Sequence, residues 1–271
     1  MAGFVAKRAG PTAPFELSVA FLAAGAVIIL TQWTENFGGV KAEPTEAIEA
    51  GGTEGDAAEG SKADAPKASG GALAAGAWNA MTSDKRLLLL GAVQAFFEGA
   101  MYIFVLQWPP AMKAALVGQS VPFGQIFSCF MVCCMIGSTT FGALAQRGVA
   151  PEDSMAGMLL LAAVAMTCAA FSVGGAMAPI VAAFLVFEAC VGMYFPLIGT
   201  LRSKYLPDAY RGVIMNLYGI PLNLIVVSVF LMINKLGLVG ALTCSAASLS
   251  VAFVAQCALR FTSKQESAAT S

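Results

Sequence analysis

The stretch LLLLGAVQAFFEGAMYIFVLQW, residues 87–108, is apolar along almost its whole length. A helix of about 20 mostly apolar residues crosses a bilayer core about 30 Å thick, so this stretch predicts a transmembrane helix. Two prolines, Pro109 and Pro110, follow Trp108 directly. We expect the tryptophan to lie at the membrane interface and the prolines to end the helix there.

Similar apolar stretches recur along the 271-residue chain, in which 58% of residues are hydrophobic and 11% are charged. This composition predicts an all-α membrane protein with about seven transmembrane helices. A membrane β-barrel is disfavoured, because the apolar residues run continuously and do not alternate with polar ones. The predicted spans are residues 16–33, 87–108, 120–146, 154–174, 177–200, 212–233 and 238–260.

The composition changes sharply after the first span, to a stretch rich in Ala, Gly, Glu, Asp and Lys that ends near residue 82. Such a segment buries too little apolar surface to offset the entropy of ordering it, so we predict a disordered acidic linker. A secretory signal peptide over residues 7–33 is a competing interpretation, disfavoured by Glu16 and by the absence of an A-x-A-like cleavage site. The predicted domains are an N-terminal segment with one transmembrane helix (1–37), the linker (38–82), a six-helix transmembrane bundle (83–262) and a tail (263–271).

The distribution of Lys and Arg predicts the orientation, because short cytoplasmic loops carry the excess of positive residues. Lys113 and Lys235 fall on one side of the bundle. The other side carries Lys85, Arg86, Arg147, Arg202, Lys204, Arg211, Arg260 and Lys264. The linker and the tail are therefore predicted to be cytoplasmic, in a protein of the cell membrane. Lys7 and Arg8 would then lie outside, against the rule, which suggests that Met1 is not the biological start.

Two glutamates, Glu98 and Glu188, lie near the middle of predicted spans. A carboxylate at the centre of a membrane helix costs roughly 2.5–3.5 kcal/mol on insertion scales, so such a residue is a functional-site hypothesis by default. Gln94 and Tyr102 lie four residues before and after Glu98, on the same helical face. All four are candidates for a substrate pathway or for coupling, as in a transporter. Each glutamate could instead be a buried polar contact that fixes helix packing.

The loop LRSKYLPDAYRG contains three further candidates, Arg202, Lys204 and Arg211, together with Asp208. They could set the topology and form a surface ion-pair network that gates the cytoplasmic side. Alternatively, Arg202 could reach an anion, because a planar guanidinium binds oxyanions through two hydrogen bonds.

Asn216 and Asn223 follow on the next predicted helix, seven residues apart and so on roughly one face. They could line a polar pathway. They could equally join helices through hydrogen bonds worth about 0.6–2 kcal/mol.

Several other classes of function are disfavoured. The chain has no histidine, and its seven cysteines all fall within predicted helices, so no metal site or cofactor is predicted. No Lys/Arg cluster of the kind that binds nucleic acid is present. No phosphate-binding loop, nucleophile elbow or dinucleotide fingerprint suggests an enzyme.

Four longer motifs resemble one known family. They are WTENFG (33–38), SDKRLLLLGAVQAFFEGAMYIFVLQWPPAM (83–112), FGQIFSCFMVCCMIGS (123–138) and FEACVGMYFPLIGTLRSKYLPDAYRGVIMNLYGIPLN (187–223). Together they are similar to the molybdate-anion transporters of the major facilitator superfamily. The resemblance implies twelve helices in two halves with the substrate held between them. Residues 16–33 then resemble the sixth helix, and residues 87–260 resemble helices seven to twelve.

The resemblance implies uptake of molybdate, with Glu98 and Glu188 on the wall of a central cavity. Because a carboxylate repels an oxyanion, we expect Glu98 to accept a coupling proton or to orient a cationic partner. The family's first five helices have no counterpart here, so we expect a truncated chain. Two alternatives stay open, since one fold serves many functions: transport of another small solute, and a non-transporting membrane scaffold or receptor.

Overall fold

Helices make up nearly all of the described chain in this computed structural model, which describes residues 8–10, 12–32, 70–116, 118 and 120–270. The helices are α1 (Ala13–Gln32), α2 (Gly70–Ser83), α3 (Lys85–Ala115), α4 (Phe123–Gln146), α5 (Pro151–Phe171), α6 (Met177–Tyr205) and α7 (Arg211–Thr270), with a 3₁₀ turn at Asp208–Tyr210. All of these α-helices except α2 overlap segments that are long and apolar enough to cross a membrane. The predicted all-α membrane fold is confirmed.

A break at Gly237 divides α7 into two segments, residues 211–236 and 238–270. The backbone there has φ 62° and ψ −173°, a conformation that glycine adopts without steric cost. The two predicted spans at 212–233 and 238–260 correspond to these segments. Each of the other five predicted spans likewise overlaps one helix, α1 or α3 to α6.

The chain divides into two compact units. One contains α1, whose side chains are exposed along most of the helix. The other contains α2 to α7, which we call the bundle. In the bundle, α3 packs along α7, α4 packs along α6, and α5 packs against both α6 and α7.

The prediction of a disordered linker is wrong for residues 70–82, which belong to α2. Alanine-rich sequence favours helix, and Ala77 and Met81 are buried in the hydrophobic core of the bundle. Burial against neighbouring helices therefore stabilises a segment that its composition alone did not mark as ordered. Residues 38–69 of the predicted linker lie outside the described residues.

The paired prolines do not end α3, which continues through Pro109 and Pro110 to Ala115. Each proline removes one helical hydrogen bond. Tertiary contacts compensate: Ala111 and Met112 are buried, and the Trp108 ring lies edge-on to Phe130, 5.3 Å between centroids. The expected helix end at residue 108 is therefore wrong.

Aromatic side chains fill the centre of the bundle. Phe104 of α3 meets Phe184 of α6 edge to face at 5.0 Å, and it lies 5.8 Å from Phe130 of α4. Offset and edge-to-face pairs of this kind add about 0.5–1.5 kcal/mol beyond the burial of their surface. These contacts fix α3, α4 and α6 relative to one another.

The crossing of α4 and α6 depends on two glycines. A Cβ added to Gly137 would overlap the carbonyl oxygen of Ala189, and a Cβ added to Gly192 would overlap that of Cys134. Small residues let helix backbones approach closely in membranes, where van der Waals packing drives helix association. The side chain of any other residue would push the two helices apart.

Gly192→Ala should therefore destabilise the bundle, by about 1–3 kcal/mol as for other overpacked sites. The measurement is the thermal unfolding midpoint of the purified protein in detergent. Gly199→Ala is the matched control, because Gly199 is on the same helix and nothing lies within 4 Å of its added Cβ. Equal midpoints for the two variants would contradict the close-approach argument.

Candidate functional site

An ion pair between α3 and α6 forms the centre of the candidate site. The Arg202 guanidinium donates from Nη2 to Glu98 Oε1 at 3.2 Å and from Nε to Gln94 Oε1 at 3.2 Å. The two charged side chains are only 19% and 20% exposed, and Gln94 is buried. The i, i+4 spacing of Gln94 and Glu98 predicts that they share a helical face, and both bind the same guanidinium.

The position of Arg202 in the chain explains how it reaches Glu98. It lies in the last turn of α6, at the same end of the bundle as the start of α3. A long arginine side chain can extend several ångströms along apolar surface from its own helix. In the sequence, Arg202 belongs to a cluster of cations with Lys204 and Arg211. In the fold, the Arg202 side chain points into the bundle.

The Arg202 guanidinium has hydrogen-bonding capacity left over. It carries five N–H donors, and two of them are used in the bonds to Gln94 and Glu98. The other three make no hydrogen bond to any described residue. Partly exposed guanidinium donors of this kind are suited to binding an anion.

Tyr194 also binds Glu98, and sequence reasoning did not select it as a site residue. Its hydroxyl donates to Glu98 Oε1 at 2.9 Å, and its fully buried ring stacks on Phe97 with 4.0 Å between centroids. One signal could have identified it, since a buried tyrosine hydroxyl usually requires a hydrogen-bond partner. The partner itself cannot be inferred from sequence spacing, because it belongs to another helix.

Tyr102, Asn216 and Asn223 do not join this cluster. Tyr102 is 48% exposed, and both asparagines are exposed. The Asn223 side-chain amide donates to the Gly219 carbonyl of its own helix at 2.8 Å. Their assignment to a substrate pathway stays a prediction.

Glu188 lies at a different helix crossing, between α4 and α6. It is 7% exposed, and the Cys134 thiol donates to its Oε2 at 3.0 Å. Within the described residues no cation pairs with it. These contacts agree with the structural alternative for Glu188, a polar contact that joins two helices.

The other two cations of the α6–α7 loop lie at the end of the bundle and form separate pairs. Lys204 Nζ contacts Glu152 Oε1 at 2.5 Å, and Tyr205 donates to the same oxygen at 2.6 Å. Arg211 pairs with Asp208 at 2.6 Å, within one helical turn. The predicted ion-pair cluster is thus split, and only Arg202 enters the bundle.

Glu152 ties together three helices and was not identified from the sequence. It lies in the first turn of α5 and bonds Lys204 and Tyr205 of α6, while its main-chain carbonyl accepts from Gln256 of α7 at 3.0 Å. The neighbouring Asp153 pairs with Arg260 of α7. Acidic residues at a helix start also complement the helix dipole, which is the signal that could have marked them.

The start of α3 is anchored at the same end of the bundle as the start of α5. Asp84 caps the helix by accepting from the Arg86 backbone N–H at 2.8 Å, and its carboxylate accepts from the Arg86 guanidinium at 2.7 Å. The hydrogen bond from the Arg86 guanidinium lowers the pKa of Asp84. Arg86 also lies over the Tyr205 ring, 5.7 Å from its centroid, within the range of a cation–π contact.

Within the described parts of the chain, no group of three His, Cys, Asp or Glu side chains is placed to hold a metal ion.

Comparisons with known proteins agree with this helical architecture. A family model described as sugar transporters with 12 transmembrane segments matches residues 1–202. A molybdate-anion transporter of Takifugu rubripes is 32% identical over 80% of this chain and 45% of its own length. Molybdate-anion transporters of Danio rerio and Xenopus laevis are 30% and 26% identical, again over 80% of this chain, and over 44% and 42% of their own lengths.

The chain therefore spans less than half the length of these relatives. The family model, in contrast, covers most of the chain and includes α1 to α5 and most of α6. On that match, the chain is a membrane protein that belongs to this twelve-span transporter family of the major facilitator superfamily.

Proposed function

We propose that this protein takes part in the secondary transport of molybdate, or of a similar small inorganic oxyanion, with Arg202 as the contact for the anion. The observation that carries the proposal is the arginine turned into the bundle, with three N–H donors left unbonded by the described residues. The relatives named molybdate-anion transporters support the choice of substrate class. Transport of this kind requires no chemical change of the substrate.

The chemistry of the guanidinium favours an oxyanion. Its planar fork of donors matches the spacing of two oxygens of a tetrahedral anion, and hydrogen bonds between charged partners are about twice as strong as neutral ones. Gln94 and Glu98 hold the group from two sides, so little side-chain entropy is lost when an anion binds.

Glu98 is the proposed coupling residue. With its carboxylate charged, the Glu98–Arg202 pair is neutral overall, and an approaching anion meets both attraction and repulsion. When a proton occupies the carboxylate, the positive charge of Arg202 is free to attract the anion. Proton uptake by Glu98 and anion binding by Arg202 would then favour each other, which is the requirement for coupled transport.

We further propose that the protein lies in the cell membrane with the linker and the tail in the cytoplasm. Exposed cations at the α6–α7 end of the bundle support this orientation, since Arg147, Lys204 and Lys264 are all partly or fully exposed. A cytoplasmic excess of Lys and Arg is the general rule for short loops. The ion pairs of Glu152 and Asp153 are proposed to stabilise this cytoplasmic end.

Two alternatives have observations in their favour. The description of the matching family as sugar transporters favours a neutral solute, for which the amide of Gln94 offers a hydrogen-bonding group. A non-transporting scaffold is favoured by the pairing of Glu98 and Glu188 with other side chains of the bundle. An uptake assay with a panel of oxyanions and sugars separates these alternatives.

Arg202→Lys should raise the KM for molybdate uptake by roughly 10- to 100-fold, because hydrogen bonds to charged groups are worth about 1.5–3 kcal/mol and lysine lacks the planar fork. Glu98→Gln should abolish coupled uptake while leaving the protein expressed. The measurement is molybdate accumulation in uptake-deficient cells that express the complete gene product, normalised to its amount at the cell surface.

Arg147→Lys is the control for these variants, because Arg147 is an exposed cation that follows α4 at the same end of the bundle. Its uptake should equal that of the wild type. An unchanged KM in Arg202→Lys would refute the anion contact, and normal uptake by Glu98→Gln would refute the coupling role.

An epitope inserted between residues 38 and 69 should be labelled by antibody only after the cells are permeabilised, because the acidic linker is proposed to be cytoplasmic. An epitope in the loop between α3 and α4 should be labelled in intact cells, since that loop lies at the opposite end of the bundle. Immunofluorescence of both insertions, with and without detergent, makes the measurement. Labelling of the linker epitope in intact cells would reverse the proposed orientation.

A further inference from the structure

We propose that Tyr194 is a positioning residue of the anion site. Its hydroxyl holds the Glu98 carboxylate so that Glu98 meets Arg202 through one oxygen only, and the remaining guanidinium donors stay available to the anion. The inference rests on the proposed function, because it assigns a role within the same site.

One oxygen of Glu98 receives both donors. Tyr194 donates to Oε1 at 2.9 Å, and Arg202 Nη2 donates to the same atom at 3.2 Å. A carboxylate that is free to turn usually binds a guanidinium through two parallel hydrogen bonds. Such a bidentate pair would use a second donor of Arg202 and leave fewer donors for a substrate oxygen.

Tyr194 is itself held rigidly. Its side chain is fully buried, with one face stacked on Phe97 at 4.0 Å and an interplanar angle of 20°. Phe195 lies against it at 5.6 Å, edge to face. Because a buried hydroxyl without a partner costs about 1–3 kcal/mol, the bond to Glu98 is strongly favoured.

The arrangement fixes the guanidinium from two directions. Gln94 holds Nε on one side, and Glu98, held in turn by Tyr194, holds Nη2 on the other. Phe97, which supports the tyrosine ring, is the immediate sequence neighbour of Glu98 on α3. The hydrogen bond from Tyr194 to Glu98 thus sets the direction of the carboxylate, and through it the number of Arg202 donors that the described residues leave unbonded.

Tyr194→Phe tests this role, because it keeps the ring and its stacking and removes only the hydroxyl. The KM for molybdate uptake should rise about fivefold, the factor that one hydrogen bond is typically worth. The maximal rate should change less than about twofold, because a saturating concentration of molybdate offsets weaker binding to the remaining Arg202 donors. A loss that falls on the maximal rate alone, with an unchanged KM, would refute the proposal.

Tyr218→Phe is the matched control. Tyr218 is another buried tyrosine, and its hydroxyl joins two helices by donating to the Leu87 carbonyl at 2.6 Å. It makes no hydrogen bond to Glu98 in the described structure. The KM of this variant should equal that of the wild type, and an equal rise in both variants would mean that loss of any buried hydroxyl explains the effect.

A double variant separates positioning from packing. Equilibrium binding of radiolabelled molybdate to the purified complete gene product gives Kd for Tyr194→Phe, Glu98→Gln and the pair. A neutral amide competes poorly for Arg202, so Tyr194→Phe should raise Kd about fivefold alone and have almost no effect beside Glu98→Gln. An undiminished effect in the double variant would show that Tyr194 does not act through Glu98.

Phe97→Leu provides a second route to the same question if Tyr194→Phe is poorly expressed. It removes the stacking surface and keeps the hydroxyl, so the KM for molybdate should rise by a smaller factor than in Tyr194→Phe. An unchanged KM would count against the proposal.

Failure of the wild-type protein to bind or take up molybdate would instead overturn the proposed function. Wild-type uptake with an unchanged KM in Tyr194→Phe would overturn only the role of Tyr194.

Discussion

The Glu98–Arg202 ion pair is the contact that the candidate site depends on. A single charge inside a membrane bundle is costly, and an opposite charge within reach reduces that cost. Here the carboxylate comes from the middle of α3 and the guanidinium from the last turn of α6, and both are about four-fifths buried. The requirement that the two charges meet fixes α3 against α6. Gln94 adds one hydrogen bond to Arg202, and Tyr194 adds one to Glu98.

Glu98 and Glu188 have different surroundings and so different chemistry. Glu98 meets a cation that retains three N–H donors unbonded by the described residues, and such donors can bind a further anion. Among the described residues, the Glu188 side chain hydrogen-bonds only to the Cys134 thiol, across a crossing where Gly137 and Gly192 allow close approach. At the end of the bundle, Glu152 joins α5, α6 and α7 through Lys204, Tyr205 and Gln256. One carboxylate therefore lies at a candidate site, while the other two join helices.

The residues of the candidate site that share one helix could be predicted from the sequence. The four-residue spacing of Gln94 and Glu98 predicts a shared polar face, and both side chains bind Arg202. The same spacing places Tyr102 on that face, yet Tyr102 is 48% exposed, because spacing along one helix does not say which part of its face another helix covers. Tyr194 and Glu152 were missed since their partners lie 96 and 52 residues away in the chain. Contacts over such separations are decided by how helices pack.

The sequence by itself determined the membrane class, the positions of the spans and the membership of two glutamates in apolar helices, because hydrophobic length and charge are local properties. It misjudged the end of α3 and the disorder of residues 70–82, since burial of Met112, Ala77 and Met81 against other helices outweighs local preference. Only the tertiary structure decided that Arg202 turns inward to Glu98 while Lys204 pairs with Glu152. The physical reason is that a buried charge needs a partner, and the packing of helices determines which partner lies within reach.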